Sequence, residues 1–198
     1  MLDISKAFTQ KTIQLYANIF SNPLSIALAV KEEKIKWSQS LIIFFSFINI
    51  SNFVISSIFE HHTNESTLDL VKLNFFQVIY TFISAGIIKF VILLLKGDFE
   101  YGQVLKLNFI YMGVIYVIDS ILMMFKIYLE TGGSPLIVFI TTIPAMTWIY
   151  FSYIAIFRAS GIIRNIKIFL GVIILALALF LALPPIMEVI STYFVVLL

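Results

Sequence analysis

The most costly residue to place is Asp119, set in the run Val114-Ile115-Tyr116-Val117-Ile118-Asp119-Ser120-Ile121-Leu122. A carboxylate at the centre of a membrane span costs about 3 kcal/mol on insertion scales, and its short stem reaches little toward water. Such a group contacts an ion, a proton or a substrate. Otherwise it is protonated, bonded to a neighbouring helix, or set at the outer interface. The last fits a position about two turns from the outer end of its span. Lys89, in Gly86-Ile87-Ile88-Lys89-Phe90-Val91, is the other charge inside an apolar run. Asp119 and Lys89 together are the candidate polar intramembrane site, but topology opposes an ion pair between them. Lys89 falls in the inner third of a descending span and Asp119 in the outer third of an ascending one, a difference of about 10 Å in depth. Lys89 is expected to snorkel to the cytoplasmic headgroups instead.

Two further groups of residues carry charge in a pattern. Arg158, Arg164 and Lys167 form a basic rim on the inner side. That rim is either the topology signal itself or a contact for anionic lipid or an acidic partner. Glu60, His61, His62, Glu65 and Asp69 cluster in an outer loop. Imidazole and carboxylate bind zinc, but adjacent histidines rarely ligate one ion and no helical histidine spacing is present, so a solvated loop without a metal is expected. Asn64-Glu65-Ser66 within it fits a glycosylation sequon.

The elements that position these residues follow from composition. Apolar residues make up 61% of the chain and charged residues 12%, with a mean hydropathy of +1.03. Soluble domains carry about 25% charged residues, so lipid is the expected solvent. A net charge of +2 gives no basis for nucleic-acid binding. Cysteine is absent, which excludes disulfides, thiolate metal sites and a cysteine nucleophile. No cleavable signal peptide is expected, because the first 20 residues contain no uninterrupted apolar core and no small-residue cleavage site.

Spanning helices need about 20 apolar residues. Five are expected, over 38–59, 73–95, 104–125, 135–157 and 164–187. Unbroken apolar runs of this length exclude the alternation of a membrane barrel. The limits are punctuated by Trp37 before the first span, by Gly97 and Asp98 as a helix stop and a fresh N-cap, and by Gly132-Gly133-Ser134-Pro135 as a loop and a helix start. Pro184 and Pro185 are expected to end or kink the fifth span, leaving the last ten residues on the outer face or folded back on the bundle. Lys and Arg then fix orientation. Ten (Lys6, Lys11, Lys31, Lys34, Lys36, Lys96, Lys106, Arg158, Arg164 and Lys167) fall on one side and two (Lys72 and Lys126) on the other. By the positive-inside rule the N-terminus is cytoplasmic and the C-terminus outside.

Residues 1–37 form an amphipathic N-terminal segment of two short helices, with Ser21-Asn22-Pro23 as cap and restart. They lie either in the membrane interface, lysines toward the headgroups, or as a cytosolic pair packed on the inner face of the bundle. Ser84-Ala85-Gly86 and the Ala155/Ala159 pair offer close helix approach. No internal repeat or linker divides the chain, so residues 1–198 form one domain. The expected fold is an all-α polytopic membrane bundle of five transmembrane helices with N-terminal interfacial helices, N-in and C-out.

This arrangement resembles the Yip1-domain family of five-span membrane proteins. The resemblance lies in Phe20-Ser21-Asn22-Pro23-Leu24 with Trp37 downstream, in Leu95-Lys96-Gly97-Asp98-Phe99 followed by Val104-Leu105, and in the stretch from Trp148 to Ile156 leading into Arg158-Ala159-Ser160-Gly161. It is closest to the prokaryotic members. The long acidic N-terminal region of eukaryotic members has no counterpart, so their association with Rab GTPases and Golgi vesicles is not implied.

No P-loop, HExxH, G-x-S-x-G or paired intramembrane Asp or His is present. A non-enzymatic membrane scaffold without cofactors is therefore expected, binding other membrane proteins or itself, or organising the bilayer. A transporter or permease-like subunit using Asp119 is the alternative. The expected location is the cytoplasmic membrane of a prokaryote or an endomembrane of a eukaryote.

Overall fold

A computed structural model of the chain describes residues 13–59 and 67–197. Among these residues all regular structure is helical. Two short helices, α1 (Ile13–Ser21) and α2 (Pro23–Lys31), precede five long ones: α3 (Trp37–Phe59), α4 (Thr67–Leu94), α5 (Tyr101–Glu130), α6 (Pro135–Ala159) and α7 (Asn165–Leu197). Each of the five long helices is long and apolar enough to cross a membrane.

The helix ends are built by local chemistry. Left-handed residues close α2, α4, α5 and the turn after α6: Glu33 (φ 57°), Lys96 (φ 61°), Gly132 (φ 89°) and Gly161 (φ 85°). In each case the next residue's N–H bonds to a carbonyl five residues back, as from Gly97 to Ile92 and from Ile162 to Phe157. Two expectations at the α4–α5 turn change. The left-handed residue is Lys96 and not Gly97, whose small size is used differently: a Cβ there would stand 2.7 Å from Ser160 Oγ. The new helix is capped by Glu100 in a reciprocal box with Gln103, not by Asp98. Asp98 instead donates its N–H to Ser160 O at 2.7 Å, tying this turn to the one after α6.

Pro184 and Pro185 do not end α7, which runs on to Leu197 and leaves no separate tail to fold back. Each proline removes one backbone bond but keeps a helical φ, and long apolar helices absorb such losses through their neighbours.

α5 is the hub, packing on α3, α4, α6 and α2, while α7 lies at the side against α4 and α6. α3 and α5 come close at Gly113, where an added Cβ would sit 3.2 Å from Phe47 Cβ and 3.3 Å from Phe44 Cα. Around it Phe44 and Phe109 meet edge to face at 4.8 Å, within a core that includes Ile43, Ile48, Ile110 and Val114. The small-residue expectation holds in part. Ser84, Ala85, Ala155 and Ala159 are buried, but Gly86 is exposed and a Cβ there would meet nothing.

Candidate functional site: a wedge groove and a buried polar column

The break between α1 and α2 is made by three residues. Asn22 caps α2 through its side chain, whose Oδ1 accepts from Ser25 N at 3.1 Å, and Pro23 at the first helical position fixes the restart. The two helices are bent by 117°. Two hydroxyl or indole donors hold the break: Tyr111 OH bonds to Pro23 O at 2.6 Å and Trp148 Nε1 to Ile19 O at 3.3 Å. Tyr111 is ten residues into α5 and Trp148 eleven residues from the end of α6, so both lie about 15 Å from the basic end of the bundle at 1.5 Å per residue. From there α2 returns to that end, burying Ile26, Ala27 and Val30 against α5 and α6. Lys31 Nζ donates to Ala159 O at 2.9 Å and Gln103 Nε2 to Lys31 O at 3.1 Å. α2 is thus a half-length helix seated inside the bundle. Amphipathic patterning could not distinguish this from a surface helix. The signal was Asn22-Pro23, which breaks an otherwise apolar run.

α1 and α2 leave an open groove of about 440 Å³ against α6, lined on one side by Phe20 to Leu24 and on the other by Pro144, Thr147, Trp148, Phe151 and Arg158 among others. Thr147, Phe151 and Arg158 are exposed. The α6 positions recur every three or four residues, so they form one stripe of about 21 Å from Pro144 to Arg158.

The second feature is a column of buried polar side chains joining α3, α4 and α5. Asn108 Nδ2 donates to Thr81 O at 2.7 Å and to Ser84 Oγ at 2.8 Å. Tyr116 OH and Thr81 Oγ1 both donate to Gln77 O at 2.8 Å. Ser51 Oγ meets Ser120 Oγ at 2.5 Å, and Ser120 bonds back to Tyr116 O. Asn52 Nδ2 donates to Asn74 Oδ1 at 2.9 Å. Gln77 Oε1 and Asn52 Oδ1 are buried without a partner among the described residues. The column escaped the sequence reading, although Gln77, Thr81 and Ser84 stand at helical spacing on α4 and so on one face.

The singled-out residues fall apart from one another. Lys89, half-buried, donates to Phe99 O at 2.5 Å, in the turn between α4 and α5. It lies about 7 Å along α4 from its basic end, whereas Asp119 lies about 27 Å along α5. Asp119 is exposed beside buried Ser120, within electrostatic reach of Tyr80 and Tyr116. The basic rim divides. Arg158 belongs to the groove, while Arg164 and Lys167 line a separate cleft of about 190 Å³ with Lys96. Glu60, His61, His62, Glu65 and the sequon lie outside the described residues. Asp69 begins α4. Among the described residues, no three His, Asp or Glu side chains gather where a metal ion would bind.

Five helices of spanning length and apolarity, with polar groups turned inward to one another, are the makeup of a multi-pass membrane protein. Neither family models, nor curated proteins, nor solved structures match the chain.

Proposed function

We propose that this chain is a non-enzymatic membrane scaffold of Yip1-like type, oriented N-in and C-out, which organises the bilayer and neighbouring membrane proteins. The observation that carries it is the seat of the α1–α2 break about 15 Å from the basic end of α5 and α6. The hydrocarbon core is about 30 Å thick, so the break reaches its midplane and α1–α2 occupies one leaflet only. An element that adds volume to the inner leaflet alone favours a bent bilayer. The ten-to-two distribution of Lys and Arg supports the orientation. The missing catalytic motifs support the non-enzymatic reading.

Reconstituting the full chain and a form lacking residues 1–31 into vesicles tests this. The full chain is expected to shift vesicles to smaller radii and the shortened form to leave them unchanged. Equal radii would remove the reading. Orientation is read separately: the chain has no cysteine, so Lys34→Cys and Thr131→Cys give single labels. Lys34→Cys should react only from the cytoplasmic side and Thr131→Cys only from outside.

A second reading, a transporter or permease-like subunit, draws on one observation. Asp119, the unpartnered Gln77 Oε1 and the unpartnered Asn52 Oδ1 stand at a similar level, about 22–27 Å from the basic ends of their helices. Because Asp119 is exposed, its path would run between two copies of the chain. Asp119→Asn leaving vesicle uptake unchanged would remove the site.

A further inference from the structure

We infer that the groove between α1–α2 and α6 is a binding site for one anionic phospholipid, its phosphate on Arg158 and one acyl chain laid along the α6 stripe toward Pro144. This rests on the membrane placement proposed above and adds the ligand.

Charge selects the headgroup. Arg158 stands at the basic end of the groove, exposed and in no ion pair among the described residues. Lys31 lies beside it, with Nζ on the carbonyl of Ala159, the next residue. No acidic side chain lines the groove. Two cations at the headgroup level of an inner leaflet attract anionic lipid, at about 1 kcal/mol for each.

Shape selects the chain. From Arg158 the stripe runs about 21 Å toward mid-membrane and becomes apolar through Ala155, Ile154, Phe151 and Trp148. The groove is open and holds about 440 Å³, room for a single acyl chain along its apolar floor. The bent break supplies the remaining wall: Phe20 rests on Trp148 with ring centroids 6.1 Å apart.

The test is native mass spectrometry of the full chain released from micelles, titrated with phosphatidylglycerol and with phosphatidylcholine of the same acyl chains. One phosphatidylglycerol per chain is expected to persist in preference to phosphatidylcholine. Arg158→Gln should weaken it about fivefold, leaving the smaller preference due to Lys31, and Arg158→Lys should restore part of the difference. Thr147→Trp, which fills the exposed far part of the groove near Pro144, should lower retention of both lipids. Lys167→Gln, outside the groove, should change neither. Circular dichroism and elution volume matching the unmodified chain establish that each variant is folded. Unchanged phosphatidylglycerol retention in Arg158→Gln would overturn the inference. So would an equal loss in Lys167→Gln, which marks a diffuse basic rim, or no effect of Thr147→Trp, which marks a headgroup contact without a seated chain. Vesicle radius is read in the same variants. Lost lipid retention with an unchanged radius effect separates this inference from the scaffold reading.

Discussion

From Val104 to Val114, α5 buries every residue except Lys106; from Leu136 to Met146, α6 buries none. Both stretches are apolar and both belong to helices of spanning length. In water that contrast would be hard to sustain, because an exposed apolar face costs free energy. In lipid, apolarity does not choose between protein and solvent, and helices associate through close packing and interhelical hydrogen bonds. α5 has both devices, with Gly113 against Phe44 and Phe47 and with Asn108 and Tyr111 bonded to other elements. α6 acquires buried residues only where Ser152, Ala155 and Ala159 make its surface small, near the basic end. The bundle is therefore tight around α5 and the α1–α2 break, and the half of α6 away from its basic end is left to lipid or to another protein.

The strongest attempt to break this comparison is Gly113→Leu. With the α3 backbone 3.3 Å from a bare Cβ, the added side chain must push α3 from α5, at a cost of about 3 kcal/mol. Unfolding in mixed micelles should show this as a large loss, and near-normal stability would mean that α3 and α5 are not so close. Asn108→Leu comes next. Removing its bonds to Thr81 O and Ser84 Oγ should cost about 1.5 kcal/mol, with a coupling to Ser84→Ala of about 0.6 kcal/mol in a double-mutant cycle. Tyr111→Phe deletes a single bond to Pro23 O and should cost about 1 kcal/mol. Hydrogen exchange in α2 sharpens this case, since protection there should fall more than in α3. At the other extreme, Phe139→Ala and Ile140→Ala on the bare half of α6 should each change stability by less than about 0.5 kcal/mol. A larger effect would show that a partner or a second copy covers that face.

Much of the fold was legible along the chain. The five spans follow from apolar length, which is a local quantity, and their ends move by only a few residues between expectation and structure. Asn22-Pro23, Gly132 and Ser134-Pro135 act where the sequence suggests, because caps and turns depend on a few neighbouring residues. Gly97 and Asp98 do not, since the left-handed position falls on Lys96 and the glycine one residue later is needed for contact with Ser160. Pro184 and Pro185 do not end the helix: proline penalises it by one missing bond, and a long apolar helix continues regardless.

The candidate sites were less legible. Asp119 and Lys89 are conspicuous as charges in apolar runs, and they stand at separate levels, as their places along the two spans lead one to expect. The residues the structure does bring together are ordinary in sequence: Ser51 on α3, Gln77, Thr81 and Ser84 on α4, and Asn108, Tyr116 and Ser120 on α5, which join only when the helices pack. The groove has the same origin, since neither the stripe on α6 nor the Asn22-Pro23 break forms a site alone.

The sequence by itself determined that five helices of spanning length would form, roughly where each begins, and which ends carry the positive charge. Those properties are sums over adjacent residues. Only the tertiary structure decided that α5 is the hub, that α2 is seated halfway along it, and that Arg158 parts company with Arg164 and Lys167. Those outcomes depend on which side chains fit and bond across helices, and in an apolar solvent hydrophobicity gives no preference among the partners.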